Sequence, residues 1–110
     1  MTTKTPEATP DEAHSRTPDV VLLDVRESDE WSAGHAPGAR HMPLGTVEPS
    51  TLPDDAMVLC ICRSGGRSAK ATDRLRQAGI DSHNVTGGMQ AWAEAQLPIV
   101  TDDGRPGSVI

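Results

Sequence analysis

The residues best suited to chemistry lie in one short run, Cys62-Arg63-Ser64-Gly65-Gly66-Arg67-Ser68. An apolar segment precedes this run and a helical pattern follows it. Gly65 and Gly66 can adopt positive φ angles, so the backbone can curl and turn successive N–H groups inward. The helix that follows would add its unsatisfied N-terminal donors and the positive end of its dipole. The run therefore predicts an anion-binding loop centred on the Cys62 sulfur.

Ionisation of Cys62 is the chemical requirement of such a loop. A free cysteine has a pKa of about 8.5 and is only a few per cent thiolate at pH 7. Making it mostly ionised requires a shift of roughly two units, or about 2.7 kcal/mol. Backbone donors, the helix terminus, Arg63 and Arg67 are together able to supply this. We interpret Cys62 as a reactive thiolate, and Cys60, inside the apolar segment, as a structural residue, with a redox partner of Cys62 as the alternative.

The elements that must position this loop follow from the hydrophobic pattern. Residues 20–25 and 57–61 are continuous apolar runs of strand length, typical of strands buried on both faces of a parallel sheet. Residues 68–78 predict a helix that ends at Gly79 and carries Ala71, Leu75 and Ala78 on one face. The alternation of strands and helices predicts a three-layer α/β/α domain with a small, mainly parallel central sheet.

Weaker sequence patterns predict the remaining helices and strands of the domain. Thr9, Pro10 and Glu12 predict a capped first helix, and residues 28–33 a short helix closed by Gly34. Residues 39–42 and 83–86 are weak strand candidates, and residues 89–96 a last helix. We expect residues 1–8 to be a flexible lead-in, residues 9–100 to form the domain, and residues 101–110 to be a loose tail.

Composition and charge argue against several classes of function. The chain of 110 residues has a net charge of −6, which argues against nucleic-acid binding as its task. Residues 63–76 nevertheless contain five basic residues and one acid, a local charge of +4 around the loop. We find no secretory signal or membrane span and expect a cytoplasmic protein. Cys60 and Cys62 are too close along a strand for an unstrained disulfide, and no zinc-binding spacing is present.

Four blocks, in order between residues 20 and 98, resemble the rhodanese-like domain family. The loop from Cys62 to Ser68 is similar to the active-site loop of that family. The other three blocks are Leu23-Asp24-Val25-Arg26-Glu27, then Glu30 with Gly34-His35-Ala36-Pro37-Gly38-Ala39, and finally Gly87-Gly88 followed by Trp92. Two positions depart from the family pattern, because Ala36 replaces a larger aliphatic residue and His41 stands where asparagine is frequent.

The resemblance implies a sulfurtransferase that moves sulfane sulfur in two half-reactions. The Cys62 thiolate would attack the outer sulfur of a small anionic donor such as thiosulfate, sulfite would leave, and a persulfide would remain on Cys62. A small nucleophile such as cyanide, or a protein thiol, would then accept the sulfur. The amides of residues 63–68, Ser64, Gly65, Gly66 and Ser68 among them, would stabilise negative charge on sulfur. Arg67, with Arg63, would orient the donor, and no metal or organic cofactor is implied.

Three residues outside the loop are expected to support it. Asp24 and Arg26 would form an ion and hydrogen-bond pair at the end of their strand, beneath the loop. His35 is expected mainly to brace the turn before Pro37, with a substrate contact as the alternative.

Two other functions remain open from the sequence. A cysteine phosphatase or arsenate reductase also places a thiolate in an anion-binding loop, but its arginine follows five intervening residues, whereas Arg67 follows four and Ser68 takes the phosphatase position. The second alternative is a persulfide carrier or regulatory module that uses the same Cys62 chemistry and docks onto a larger enzyme.

Overall fold

A computed structural model describes residues 5–110 of the chain. Within these residues the chain forms five strands and four α-helices, with two short 3-10 turns between the third and fourth strands. In chain order the elements are β1 (Glu7–Ala8), α1 (Pro10–Arg16), β2 (Val21–Asp24), α2 (Ser28–Ala33), β3 (Arg40–His41), β4 (Val58–Ile61), α3 (Gly66–Gln77), β5 (Ser82–Val85) and α4 (Gly88–Glu94).

The five strands form one parallel sheet in the order β1-β5-β4-β2-β3. Every residue of β2 and β4 is buried, as their continuous apolar sequences predict, and the two strands pair with Leu23 opposite Cys60. From β2 the chain continues to β3 on one side of this central pair, and from β4 it continues to β5 on the other side. The carboxyl ends of β2 and β4 therefore flank a point where the connections diverge, which is where open α/β sheets bind ligands.

Apolar side chains cover both faces of this sheet. On one face Trp92 and Met89 of α4 pack with Ala13 of α1, and all three are fully buried. On the other face Ala71 and Leu75 of α3 pack against the sheet, as the helical spacing predicts, whereas Ala78, predicted on the same face, is exposed at the C-cap. The predicted three-layer α/β/α class is confirmed.

Two helix starts show how local sequence fixes the ends of the elements. The predicted capping box of α1 is present, because the Thr9 hydroxyl accepts from the Glu12 N–H and the Glu12 carboxylate accepts from the Thr9 N–H. Helix α3 begins at Gly66, two residues before the predicted start at about Ser68. Gly65 takes a left-handed conformation with φ of 114°, and its carbonyl accepts the first helical bond from Ala69.

The ends of the described chain differ from the expected lead-in and tail. Glu7 and Ala8, which we assigned to the flexible lead-in, pair with β5 as an edge strand that has no recognisable sequence pattern. Residues 1–4 of that lead-in lie outside the described residues.

The segment from residue 101 to 110, expected to be loose, folds back onto the end of α2. The Ser108 N–H donates to the Ala33 carbonyl over 2.9 Å, and Val109 packs against the core. A Cβ atom at Gly34 would lie 2.5 Å from the Ser108 nitrogen, so this close approach requires glycine. The tail is held by backbone contacts that its polar composition does not reveal.

No helix among residues 5–110 is long and apolar enough to span a bilayer.

Candidate active site

Cys62 lies immediately after β4, at the point where the connections of the sheet diverge. The residue is 1% exposed, because the following loop curls around it. Its Sγ atom accepts hydrogen bonds from the Gly65 N–H at 3.1 Å and from the Ser68 hydroxyl at 3.2 Å. The structure thus brings Gly65 and Ser68, two of the loop residues of the sequence hypothesis, into contact with the sulfur.

These donors lower the pKa of the Cys62 thiol. Burial raises the pKa of Cys62, but hydrogen bonds from the Ser68 hydroxyl and from the N–H groups of Ser68, Gly65 and Ser64 lower it more. The pKa of Cys62 consequently lies below its ordinary value. Burial instead raises the pKa of Cys60, inside β4, to about 11, so that thiol stays protonated at neutral pH. Both cysteines are free thiols.

Helix α4 holds the loop from the side opposite the sulfur. The N–H of Met89 donates to the Cys62 carbonyl at 2.7 Å, and the N–H of Gln90 donates to the Arg63 carbonyl at 3.0 Å. In a trans peptide the C=O and the next N–H point in opposite directions. Fixing these two carbonyls on α4 therefore turns the N–H groups of Arg63 and Ser64 into the loop.

Gly88 makes this contact between α4 and the loop possible. Its φ is +59°, and a Cβ atom there would lie 2.7 Å from the carbonyl carbon and oxygen of Arg63, and closer still to the Cys62 oxygen. Any side chain at this position would push α4 away from the loop. The paired glycines that the sequence marks before Trp92 thus serve the site as well as the turn.

Arg67 forms an ion pair with the carboxylate of Glu30. Its guanidinium donates two hydrogen bonds to Glu30, from Nη1 to Oε1 at 2.7 Å and from Nη2 to Oε2 at 2.9 Å. The hydrogen bonds from Arg67 lower the pKa of Glu30 to about 2, so the carboxylate stays charged at neutral pH. We expected Arg67 to be available to an anionic donor, but in the structure Glu30 neutralises it.

Arg63 lies exposed at the rim of the loop. Its Nε donates to the main-chain oxygen of Ile110 at 3.0 Å, which links the tail to the loop. With the Gln90 amide oriented so that its oxygen faces the guanidinium, that oxygen accepts from Nη1 at 2.8 Å and from Nη2 at 3.2 Å. Arg63 is therefore held between α4 and the tail.

Asp24 and Arg26 form the expected ion pair, 2.8 Å between Arg26 Nη2 and Asp24 Oδ2, and both are fully buried. The same Nη2 donates to the Gly34 carbonyl at 2.7 Å. The pair therefore fixes the turn after α2, and its hydrogen bonds go to that turn instead of to the loop.

His35 lies in the turn that the Asp24–Arg26 pair supports. Its Nδ1 is 2.8 Å from the Trp31 carbonyl oxygen, its ring stacks on that of Trp31 at 3.5 Å, and its Nε2 is 3.4 Å from Asp102. Its backbone pairs with Val100. These contacts place His35 between α2 and the tail, as a brace of this turn.

Sequence reasoning missed two residues that shape the site. In the sequence, Glu30 is marked only as the acidic residue of the family pattern. It lies in the acidic first turn of α2, and that charge was the available signal for a contact with the basic run that includes Arg67. Asn84 lies in the weak strand β5 and donates from Nδ2 to the Gly65 carbonyl at 3.2 Å. Asn84 follows Ser82 and His83 in a mostly polar strand, so no hydrophobic pattern marked it in the sequence.

Metal-binding geometry is not apparent in the described part of the chain, where no three histidine, cysteine, aspartate or glutamate side chains come together.

Comparisons with known proteins agree with this arrangement. A sulfurtransferase of Allochromatium vinosum is 40% identical over 91 residues, which cover 80% of this chain and 85% of that protein. An uncharacterized protein of Synechocystis is 36% identical over 94 residues, 83% of this chain, and the match spans only 52% of that longer protein.

A solved structure shows the same fold. The crystal structure of a rhodanese-related protein of Thermoplasma volcanium superposes with a TM-score of 0.82 at 28% sequence identity, over 88% of this chain and 99% of that one. The model of the rhodanese-like domain family matches residues 9–95. Because that match includes both central strands, the cysteine loop and α4, the chain belongs to the rhodanese-like domain family.

Proposed function

We propose that this protein transfers sulfane sulfur from an anionic donor such as thiosulfate to a nucleophilic acceptor, through a persulfide on Cys62. Sulfur transfer in general agrees with family membership and with the sulfurtransferase name of the Allochromatium relative. The observation that carries the proposal is the pair of hydrogen bonds from the Gly65 N–H and the Ser68 hydroxyl to the Cys62 sulfur.

The first half-reaction forms the persulfide. The Cys62 thiolate attacks the outer sulfur of thiosulfate, and a new S–S bond forms between the two sulfur atoms. The bond between the outer sulfur and the sulfonate sulfur breaks, and its electron pair leaves with sulfite. No proton moves in this exchange, because a thiolate becomes a persulfide anion. The same donors that favour the thiolate favour this anion.

The second half-reaction releases the sulfur. A nucleophile such as cyanide or a thiolate attacks the terminal persulfide sulfur, the S–S bond to Cys62 breaks, and its electron pair returns to Cys62 as thiolate. With cyanide the product is thiocyanate. Ser64, Gly65 and Ser68 hold the negative charge in both states, so the loop need not reorganise between the half-reactions.

A reducing compartment suits this chemistry. Cys62 must be a free thiolate at the start of each cycle, and both cysteines are free. Disulfides are rare in the cytoplasm because thiol reductants keep cysteines reduced there. We place the protein in the cytoplasm as part of the proposal.

Intact-mass measurement tests the proposal. Reduced protein treated with thiosulfate should gain the mass of one sulfur atom and lose it when cyanide is added, with thiocyanate appearing in equal amount. Cys62→Ser should abolish the gain. Cys60→Ser is the matched control, because it removes the neighbouring thiol of the same strand and should keep the gain. No adduct on the wild-type protein, together with turnover of a phosphate ester, would replace sulfur transfer by phosphatase chemistry.

A further inference from the structure

A buried amide on β5 reaches the loop from the side of the sheet. Asn84 is 5% exposed, and its backbone pairs with β1 and β4. Its Nδ2 donates to the Gly65 carbonyl at 3.2 Å, and the same carbonyl accepts from the Ala69 N–H at 3.1 Å. Gly65 is thus the point where β5, the loop and the first turn of α3 are joined.

We infer that Asn84 is a positioning residue for the reaction, which sets the orientation of the Gly65 peptide groups that surround the Cys62 sulfur. The inference deepens the proposed function and rests on it for the identity of the nucleophile. Asn84 does not touch the sulfur, and it acts through the backbone of Gly65.

Peptide geometry connects the amide to the sulfur. Gly65 has φ of 114° and ψ of −10°, and its own N–H donates to Cys62 Sγ at 3.1 Å. The bond from Asn84 fixes the direction of the Gly65 carbonyl, and planarity then sets the direction of the Gly66 N–H on the other side of that peptide. Glycine is the most mobile residue type in a chain. The bond from Asn84 is a second restraint on this carbonyl, beside that from the Ala69 N–H, and it limits Gly65 to the conformation in which its N–H points at the sulfur.

The energetics of Asn84 favour positioning over packing as its role. Its Oδ1 atom is buried and has no hydrogen-bond partner among the described residues. A buried acceptor without a partner destabilises a fold, and an apolar side chain of similar size would avoid that cost. The residue paired with Asn84 on the neighbouring strand β4 is Cys60, which is fully buried. An asparagine here is explained by what its Nδ2 does for the loop.

Asn84→Leu is the informative substitution, because it keeps a similar volume and removes both the donor to Gly65 and the unpaired Oδ1. We expect the midpoint of the pH profile for alkylation of Cys62 by iodoacetamide to rise by about one unit, equivalent to a tenfold loss of thiolate at any pH well below both midpoints. We expect kcat for transfer from thiosulfate to cyanide to fall by about the same factor, with KM changed less. Thermal unfolding should show a folded protein.

Ser82→Ala is the matched control. Ser82 lies two residues earlier on β5, is fully buried, and donates its hydroxyl to the Thr72 carbonyl of α3 at 3.0 Å. It therefore links the same strand to the same helix without contacting the loop. We expect Ser82→Ala to lower the melting temperature and to leave the midpoint of the alkylation profile within a few tenths of a unit of wild type.

The outcomes separate the inference from the proposed function. If Asn84→Leu shifts the alkylation midpoint no more than Ser82→Ala does, Asn84 is a packing residue and the inference fails, whatever the transfer assay shows. Asn84→Ala is a second variant, in case the leucine side chain does not fit the site. The inference requires the alkylation midpoint of Asn84→Ala to rise by the same amount as that of Asn84→Leu. Since alkylation needs no sulfur donor, wild-type protein that gains no sulfur from thiosulfate would overturn the proposed function, while the alkylation midpoints would still decide the role of Asn84.

Discussion

The guanidinium of Arg67 and the carboxylate of Glu30 face each other in a two-pronged contact, although the two residues are 37 positions apart in sequence. The contact places the charge of an active-site loop residue opposite an acid from α2. The net side-chain charge beside the Cys62 sulfur is therefore lower than the basic run of residues 63–76 indicates. Of the groups that the sequence hypothesis named, the backbone and a hydroxyl contact the sulfur, and the Arg67 guanidinium contacts Glu30.

Releasing Arg67 should change donor binding. Glu30→Gln keeps the shape of the side chain and removes the negative charge, so the guanidinium becomes available to a dianion. We expect KM for thiosulfate to fall about fivefold, equivalent to about 1 kcal/mol, with a smaller change in kcat. Steady-state kinetics with varied thiosulfate measures this. Asp29→Asn removes one charge from the same helix and should leave KM near wild type; an equal fall in both variants would mean that general charge, and not the Arg67 contact, controls binding.

Stability towards acid should depend on the same pair. The pKa of Glu30 is lowered from 4.5 to about 2 in the folded protein, so its contribution to stability is complete above about pH 4.5 and is lost as the pH falls towards 2. The shift alone corresponds to about 3 kcal/mol. The Arg67 side chain is 34% exposed, and solvent screening reduces the contribution to about 1 kcal/mol.

Urea unfolding of wild type and Glu30→Gln between pH 7 and pH 2 measures this contribution. Wild type should be more stable at pH 7, and the difference in the free energy of unfolding should close as the pH approaches 2. A difference that stays constant with pH would show that the pair does not lower the pKa of Glu30.

Contact between α4 and the loop should require Gly88. Gly88→Ala introduces a Cβ atom 2.7 Å from the Arg63 carbonyl group and a side chain at φ of +59°. We expect a loss of more than about 2 kcal/mol of stability, above the cost of a left-handed residue alone, and a rise in the midpoint of the Cys62 alkylation profile. Gly79→Ala is the control, because Gly79 has φ of +87° and nothing within 4 Å of the added atom. Similar losses in the two variants would attribute the effect to φ and not to contact with the loop.

Docking of the tail should depend on the crossing of two glycine backbones. A Cβ atom at Gly107 would lie 2.6 Å from the Gly34 Cα atom, so Gly107→Ala should separate the tail from α2. We expect a loss of about 1–2 kcal/mol, since the substitution removes the Ser108–Ala33 hydrogen bond and the packing of Val109. Hydrogen exchange at the Ser108 amide reports the change directly.

Gly104→Ala serves as the tail control, because Gly104 lies in the same tail and an added Cβ atom there has nothing within 4 Å, while its φ of +83° adds backbone strain without a contact. In the Gly104→Ala variant, the amide hydrogen of Ser108 should exchange as slowly as in wild type. Fast exchange in Gly104→Ala, or slow exchange in Gly107→Ala, would contradict the docking described for the tail.

The parts of the fold that local sequence determines were predictable. Strands β2 and β4 are buried on both faces and have continuous apolar sequences, and the cap of α1 is encoded by Thr9 and Glu12. Edge strand β1 has only two residues, too few for any period to show. The docking of the tail depends on close backbone contact at Gly34 and Gly107, which no hydrophobic pattern records.

The candidate site also has a part that was predictable from the sequence and a part that was not. The loop from Cys62 to Ser68 is contiguous, so its glycines and its cysteine were visible together. The partners of its side chains were not, because Glu30 reaches Arg67 from α2 and Asn84 reaches Gly65 from β5. Such contacts depend on which strands lie side by side, and that order is a property of the whole sheet.

The attachment of the loop to α4 limits which residues around this site can be substituted without changing the position of the loop. The two bonds that hold the carbonyls of Cys62 and Arg63 come from main-chain N–H groups, so they do not depend on the side chains of Met89 and Gln90. Side chains at the rim of the loop can therefore be exchanged without moving Cys62, provided that glycine remains at position 88. Substitution at the rim changes which molecules fit against the loop and leaves the position of the cysteine unchanged.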